Sequence, residues 1–393
     1  MRDTQSSSVP VEALIPSVVA LSVIALVVQG GTLMTLPALL PRMAGDFGPL
    51  GVAATILLVA MSAGNLVAGW LIGRLDARTV IAGGIVLTAT GWLGAAVAQD
   101  RMVLTAALAV TGAGIAASTM VPGIAVIARD LPDRRGMALG LFLGATILGG
   151  AILPPALTLV AEWWYWRTAM MLTSAATFAA APLLWLVRPG AAAASAGAAQ
   201  VERALASPHF GPMRVTVAMT MVQLSINGIL FASVDGMMQQ GLGHGQAVMA
   251  FGVANLMGLP ALLAGGWVAD RIGGRAAFAL GGLMLAAGSA ALLAAGPFGM
   301  AGIAAFVLLW GVASALPGQA GPMMIAEIAP GDRFPLLLGT AIAAVSLIGA
   351  LAPMLTDLMR AAGGSLSAIA FVYAGLALGG AMLVIGRRRL FTK

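Results

Sequence analysis

The chain has 393 residues, of which 60% are hydrophobic and only 9% charged, with a mean hydropathy of +1.00. Soluble chains carry roughly 25% charged and 45–50% apolar residues, so too little polar surface remains here for a water-soluble enzyme, a nucleic-acid binder or a disordered chain. The net charge of +6 comes from 19 Arg and Lys393, and the lack of cysteine removes disulfides, thiolate metal sites and thiol catalysis.

Residues 1–13 are polar, and the first apolar run is too long for the core of a cleaved signal peptide, so it is expected to persist as a first span. Apolar runs long enough to cross about 30 Å of hydrocarbon cover approximately 14–40, 50–73, 79–98, 102–128, 136–160 and 166–188. Six more cover approximately 213–239, 246–269, 276–296, 300–326, 334–360 and 366–386. Runs of this length are helices, since spanning strands need only about 10 residues with dyad alternation. The expected fold is an all-α integral membrane protein of twelve transmembrane helices in two pseudo-symmetric six-helix bundles.

The arginines orient it. With the N-terminus cytoplasmic, the inner segments hold 16 basic residues and the outer segments four: Arg42, Arg101, Arg167 and Arg360. That asymmetry places both termini inside and assigns the positive balance to topology rather than to nucleic acid. Residues 189–212 are Ala/Gly/Ser-rich and read as a cytoplasmic linker. It joins an N-terminal bundle (1–188) to a C-terminal one (213–393).

The halves repeat. GWLIGRLDAR (69–78) aligns with GWVADRIGGR (266–275) at an offset of 197, matching Gly69 with Gly266, Arg74 with Arg271 and Arg78 with Arg275. PGIAVIARDLPDRR (122–135) aligns with GPMMIAEIAPGDR (321–333). Two such halves suggest a secondary transporter with its site at the midplane between them.

These segments carry a family resemblance. GWVADRIGGR resembles the loop signature of the major facilitator superfamily at every position: Gly266, Asp270, Arg271, Gly273 and Arg275. The first-half copy departs from it, with Gly73 at the acidic position and Asp76 at a glycine position. The resemblance implies the major facilitator fold and a gating role for this motif. Asp270 would face the start of the fifth helix beside Arg134 and Arg135, a favourable place for a carboxylate, with Arg74 and Arg78 in the weaker symmetric latch. A narrower likeness runs through 133–171: the Gly-rich fifth helix with Pro154-Pro155, then YWRTAMM, is similar to the monocarboxylate-porter-like members.

The same resemblance implies a cavity lined by helices 1, 4, 7 and 10. Gln29 and Asn227 sit mid-span in helices 1 and 7 at an offset of 198, which makes them pseudo-symmetric candidates for contact with substrate through amide groups. Further candidates are Met120, Gln319 and Asn255, with Gln223, Asn65, Ser118 and Thr119 as more ordinary interhelical polar groups. Met34 and other methionines offer an adaptable apolar wall. Asp235, an acid inside a span, is the candidate for proton coupling, because a carboxylate in lipid is costly to charge; a place in the outer vestibule beside Gln239 or Gln240 is its alternative. Asp357 with Arg360, and Glu162 with Arg167, read as local pairs near the outer face.

No cation stands at the midplane of helix 8 or 11 to hold a carboxylate. The expectation is therefore secondary active transport of a small organic solute, a monocarboxylate among the candidates, by alternating access and proton-coupled symport across a bacterial inner membrane. The alternative is efflux of amphipathic drug-like compounds. The chain is expected to be a monomer in the bilayer and not an enzyme. No cofactor, metal site or nucleic-acid partner is expected: there are two histidines in separate segments and no phosphate-loop pattern.

Overall fold

The computed structural model describes residues 15–131, 135–190, 210–328 and 334–385. Within them are twelve helical segments long and apolar enough to span a membrane. They are α1 (Ile15–Phe47), α2 (Gly51–Ile72), α3 (Ala77–Val97), α4 (Arg101–Asp130), α5 (Met137–Trp163) and α6 (Trp166–Leu186). The second six are α7 (Met213–Gln239), α8 (His244–Ile272), α9 (Gly274–Ala294), α10 (Met300–Ile325), α11 (Leu337–Ala361) and α12 (Leu366–Ile385). The protein is an all-α, multi-pass membrane protein. A hydrocarbon solvent offers no hydrogen bonds to the backbone, so helices that satisfy their own amides are the stable choice. Most of the 189–212 segment lies outside the described residues.

Packing divides the helices into two bundles of six. In the first, α4 lies against α2 and α3, while α5 lies against α1 and α6; in the second, α10 lies against α8 and α9, while α12 lies against α7 and α9. Packing between the bundles is chiefly of α5 with α8, α2 with α11, and α1 with α7. Glycines permit the closest approaches. A methyl on Gly30 would stand 2.5 Å from the backbone of Gly149, one on Gly114 would strike Thr88, and one on Gly112 would strike the carbonyl of Leu57. Across the bundles, Gly252 of α8 faces the Ala151 carbonyl of α5. Of two other spaced pairs in the sequence, Gly140 and Gly375 face open space, while Gly144 and Gly379 meet Leu259 and Met221 side chains.

Several spans are not plain α-helices. In α1 a π-helical stretch (Leu26–Leu33) holds Gln29, and the Thr35 hydroxyl donates to the Gly30 carbonyl. Span α4 breaks at Thr119, whose hydroxyl donates to Ile115 as that of Ser118 does to Gly114. Span α11 breaks between Gly349 and Ala352. Such interruptions survive at membrane depth only where side chains or a cavity satisfy the freed groups.

Because Gly112 packs on backbone with no side chain to give way, Gly112→Ala is expected to cost about 1–3 kcal/mol by overpacking. Gly83, with nothing within 4 Å of an added methyl, should accept alanine without loss. Melting of the two detergent-purified variants checks the contrast.

Candidate functional site

At the face opposite the termini the two bundles are clasped. Arg42, near the end of α1, donates from Nε to His244 Nδ1 at 2.7 Å and from Nη1 to the Ala161 carbonyl at 2.7 Å. It also pairs with Glu162 at 3.2 Å. His244 opens α8, and its Nε2 lies 2.8 Å from the Ala38 carbonyl. Nδ1 accepts from the guanidinium and Nε2–H donates to the carbonyl, so the ring bridges to α1 through both nitrogens with its proton on Nε2. A second contact joins α2 to α11. The Gly51 amide donates to Asp357 Oδ2, and the Met354 amide donates to the Thr55 hydroxyl at 3.0 Å. Gly51 has no alternative residue: an added methyl would strike the Pro353 carbonyl.

Inside this clasp lies a cavity of about 330 Å³ walled by both bundles. The first bundle contributes Leu33, Met34, Leu58, Met61, Ser62 and Asn65 from α1 and α2. The second contributes Gln223, Ile226, Asn227 and Leu230 from α7, Asn255 from α8, Trp310 and Ser314 from α10, and Ser346 from α11. No residue of this wall is ionisable. Its polar groups are only partly engaged. Gln223 donates to Asn227 Oδ1 at 3.0 Å, and Asn227 donates to the Gly349 carbonyl at 2.9 Å, where α11 breaks. Asn255 donates along its own helix to Phe251. Asn65 makes no hydrogen bond with a described residue.

Of the residues singled out from sequence, Asn227, Asn255, Gln223, Asn65 and Met34 therefore stand in the cavity wall. Gln29 does not line this cavity, so the expected pairing of Gln29 with Asn227 across it is not formed. The Gln29 Oε1 is buried without a partner in the π-helical stretch. Gln319 donates to the Leu262 carbonyl and ties α10 to α8, and Met120 sits at the α4 break. The wall draws on α1, α2, α7, α8, α10 and α11, with no lining residue from α4, in place of the four expected helices. Ser62, Trp310, Ser314 and Ser346 were not legible as wall residues, because single polar or aromatic positions in apolar runs carry no periodic signal.

Asp235 lies beyond the clasp, in a separate pocket of about 470 Å³ shared with Asp357, Thr356 and Arg360. Its Oδ2 is 2.6 Å from Arg360 Nη2 and accepts from Gln239 at 2.8 Å. The Arg360 contact has the distance of an ion pair without hydrogen-bond alignment, for Nη2 counts as buried and unbonded. Two local pairs expected from sequence are thereby corrected. Arg360 pairs across helices with Asp235 rather than with Asp357, which is held by the Gly51 amide. Glu162 pairs with Arg42, while Arg167 stacks over Trp166 and lies 3.9 Å from Asp46.

At the terminal face the two motif copies are seen in different roles. Arg74 stacks over Trp70 at 4.1 Å, and Arg271 over Trp267 at 3.9 Å, a matched pair that alignment of the repeat places together. Asp270 and Arg271 are exposed. Arg134 and the side chain of Arg135 lie outside the described residues, so the expected latch to the start of α5 does too. Gly273 adopts φ +84 at the α8–α9 turn, a conformation open to glycine at little cost. In the first copy Asp76 caps α3 instead: it accepts from the Arg78 amide at 2.8 Å and the Gly190 amide at 3.0 Å. Arg78 in turn donates to the Val187 and Trp185 carbonyls. The departure from the motif exchanges a glycine turn for an N-cap. Gly266 packs near Gln319, and Arg275 follows at the start of α9.

Comparison with known proteins agrees with this architecture. A family model described as the Major Facilitator Superfamily matches residues 21–353. Monocarboxylate transporter 11 of Mus musculus is 27% identical over 224 residues, covering 56% of this chain and 50% of that protein; the match thus spans half the length of that relative. A crystal structure of a nucleoside transporter superposes with a TM-score of 0.80 at 11% identity, covering 94% of this chain and 98% of that one. A crystal structure of a POT peptide transporter gives 0.75 at 13% identity, covering 94% and 93%. At these identities the structures are alike in fold.

The unequal engagement of the wall amides predicts unequal costs. Asn227→Ala leaves the Gly349 carbonyl and the Gln223 amide without their partner and is expected to cost about 1–3 kcal/mol. Asn65→Ala should stay within about 0.5 kcal/mol. Thermal melting without ligand measures both.

Proposed function

The chain belongs to the Major Facilitator Superfamily, and from that premise we propose that it is a secondary transporter carrying a small organic solute through the central cavity by alternating access. The observation that supports this most is a cavity shared by both bundles and shut at one face by contacts between them. Relative rocking of the bundles, with Asn227 and Asn255 in contact with the solute, would expose that cavity to the two faces in turn. The arginine asymmetry supports cytoplasmic termini in a bacterial inner membrane, with residues 1–188 and 213–393 as the moving bodies and 189–212 as their linker. Gln29, Met120 and Gln319 act in this reading as helix-packing and hinge residues rather than as wall. The motif residues Gly266, Asp270, Arg271, Gly273, Arg275, Arg74, Arg78, Arg134 and Arg135 serve the terminal-face gate.

Proton coupling is assigned to Asp235. Protonation would cancel the charge opposite Arg360 beside the Gly51–Asp357 contact, and so weaken the clasp from the outer pocket. The name of the mouse relative suggests a monocarboxylate, whereas the cavity wall offers no cation to receive one. Efflux of amphipathic compounds is the second reading, favoured by Met34 and Met61 in the wall. The cavity volume, at the small end of the roughly 300–1,000 Å³ of ligand pockets, favours a small solute.

Reconstitution into liposomes with an imposed pH gradient tests this reading, using lactate, pyruvate, lactamide and erythritol as solutes. Protein-dependent uptake of at least one, reduced tenfold or more by Asn227→Ala, is expected. Asp235→Asn should leave solute exchange in place and abolish its dependence on the pH gradient. Gradient-driven flux unchanged in that variant would remove Asp235 from coupling.

A further inference from the structure

Of the clasp contacts, the one between α1 and α8 runs through an imidazole, the side chain that titrates nearest neutrality. His244 uses both ring nitrogens. Nδ1 accepts from Arg42 Nε at 2.7 Å, and Nε2 donates to the Ala38 carbonyl at 2.8 Å. This geometry holds only for the neutral ring. The lone pair that would take a proton is the one on Nδ1, and the guanidinium already occupies it. Imidazolium donates from both nitrogens, whereas arginine has no acceptor to offer and keeps its charge. A proton on Nδ1 would set two donors and two positive charges against each other, and the hydrogen bond does not survive that.

The surroundings offer no escape. The charged groups facing the ring are Arg42 of α1 and Glu162 of α5. Glu162 accepts from Arg42 at 3.2 Å rather than from the ring. It is partly exposed, so it screens the two cations weakly and replaces no hydrogen bond. Asp46, one turn further along α1, is held by Tyr165 and Trp166, with Arg167 3.9 Å away. Asp235 of α7 pairs with Arg360 of α11 in the separate outer pocket. His244 is half-buried, and Gly243 and Gln246 beside it are exposed, so water at the clasped face is its source of protons.

We propose that His244 is a proton-operated latch: a proton taken up on Nδ1 from the face opposite the termini displaces Arg42 and releases α1 from α8. This rests on the clasp being what shuts the chamber. His244 acts here as a gating residue, separate from Asp235, which the transport reading makes the carrier of the coupled proton. One proton enters for each latch that opens. Closure is therefore favoured above the ordinary histidine range, near pH ~6.5, and loses about tenfold per pH unit as pH falls below it.

The lack of cysteine allows spin labels at two exposed positions of that face, Met102→Cys at the start of α4 and Met300→Cys at the start of α10. The pair reports the distance between the bundles. Labels are attached at one pH, and distances are then read by pulsed electron paramagnetic resonance in nanodiscs equilibrated across the range from alkaline to mildly acidic. The labelled chain is expected to show a longer distance whose population grows as pH falls, with its midpoint at or below about 6.5. His244→Asn puts an amide oxygen near the place of Nδ1 and takes no proton there, so its distances should not change with pH. Arg42→Ala should be long at every pH, and Asp235→Asn should keep the pH response. A response that persists in His244→Asn, or vanishes in Asp235→Asn, would overturn the proposal. So would a parent short at every pH beside a long Arg42→Ala, a result that leaves the clasp as the lid without its latch. Were Arg42→Ala short as well, the clasp itself would fall.

Discussion

The clasp between the bundles is the contact on which the rest of the arrangement depends. Arg42 and His244 lock α1 to α8, while the Gly51–Asp357 and Thr55–Met354 contacts lock α2 to α11. All are made at one face. The cavity is therefore a chamber with a lid at one face, walled by six helices. The clasp is polar and short, so it can be broken by competition from water or by a change of charge. An apolar seam of the same area would lack that property. Charge near it is concentrated in Asp235, Asp357 and Arg360, which puts the titratable groups at the lid and leaves the chamber neutral.

That separation has an energetic logic. In hydrocarbon the helices gain little from hydrophobic association, and close contact rests on small residues and shared polar groups. Gly30 against Gly149 and Gly112 against Leu57 in the first bundle, and Gly228 against Tyr373 and Gly288 against Trp310 in the second, make each bundle stiff. The bundles meet each other through fewer such contacts, with Gly51 on Pro353 and Gly252 on Ala151 the tightest. Stiff bodies joined by a small polar clasp suit a rocking motion, with the interruptions in α1 and α11 placed near the chamber rather than at the helix ends.

Much of this could be read from sequence because lipid imposes simple rules. The scarcity of charge located the spans, although the first runs to Phe47 rather than to residue 40, and the repeat at an offset of 197–198 disclosed the two bundles. Mid-span polarity found Asn65, Gln223, Asn227 and Asn255. It misplaced Gln29 because α1 is π-helical there, and the wider turn shifts the register that an α-helical reading assumes. Asp357 and Arg360 looked like a local pair at i,i+3, yet each is captured by another helix, a tertiary choice that spacing cannot reveal. His244 appeared only as one of two unconnected histidines, since its partners lie some 200 residues away in α1. Trp310 was invisible for a different reason: in an apolar run an indole looks like filler.

The most direct test uses the natural absence of cysteine. Asn65→Cys places a single thiol in the chamber wall of a chain whose terminal face can be located with a C-terminal tag. Its labelling by a membrane-impermeant maleimide is then measured from each side of oriented vesicles. The account predicts labelling from the terminal face alone, and labelling from the opposite face as well once Arg42→Ala opens the clasp. Equal labelling from both faces before that change, or protection at the opposite face persisting after it, would contradict the central claim that these contacts shut the chamber.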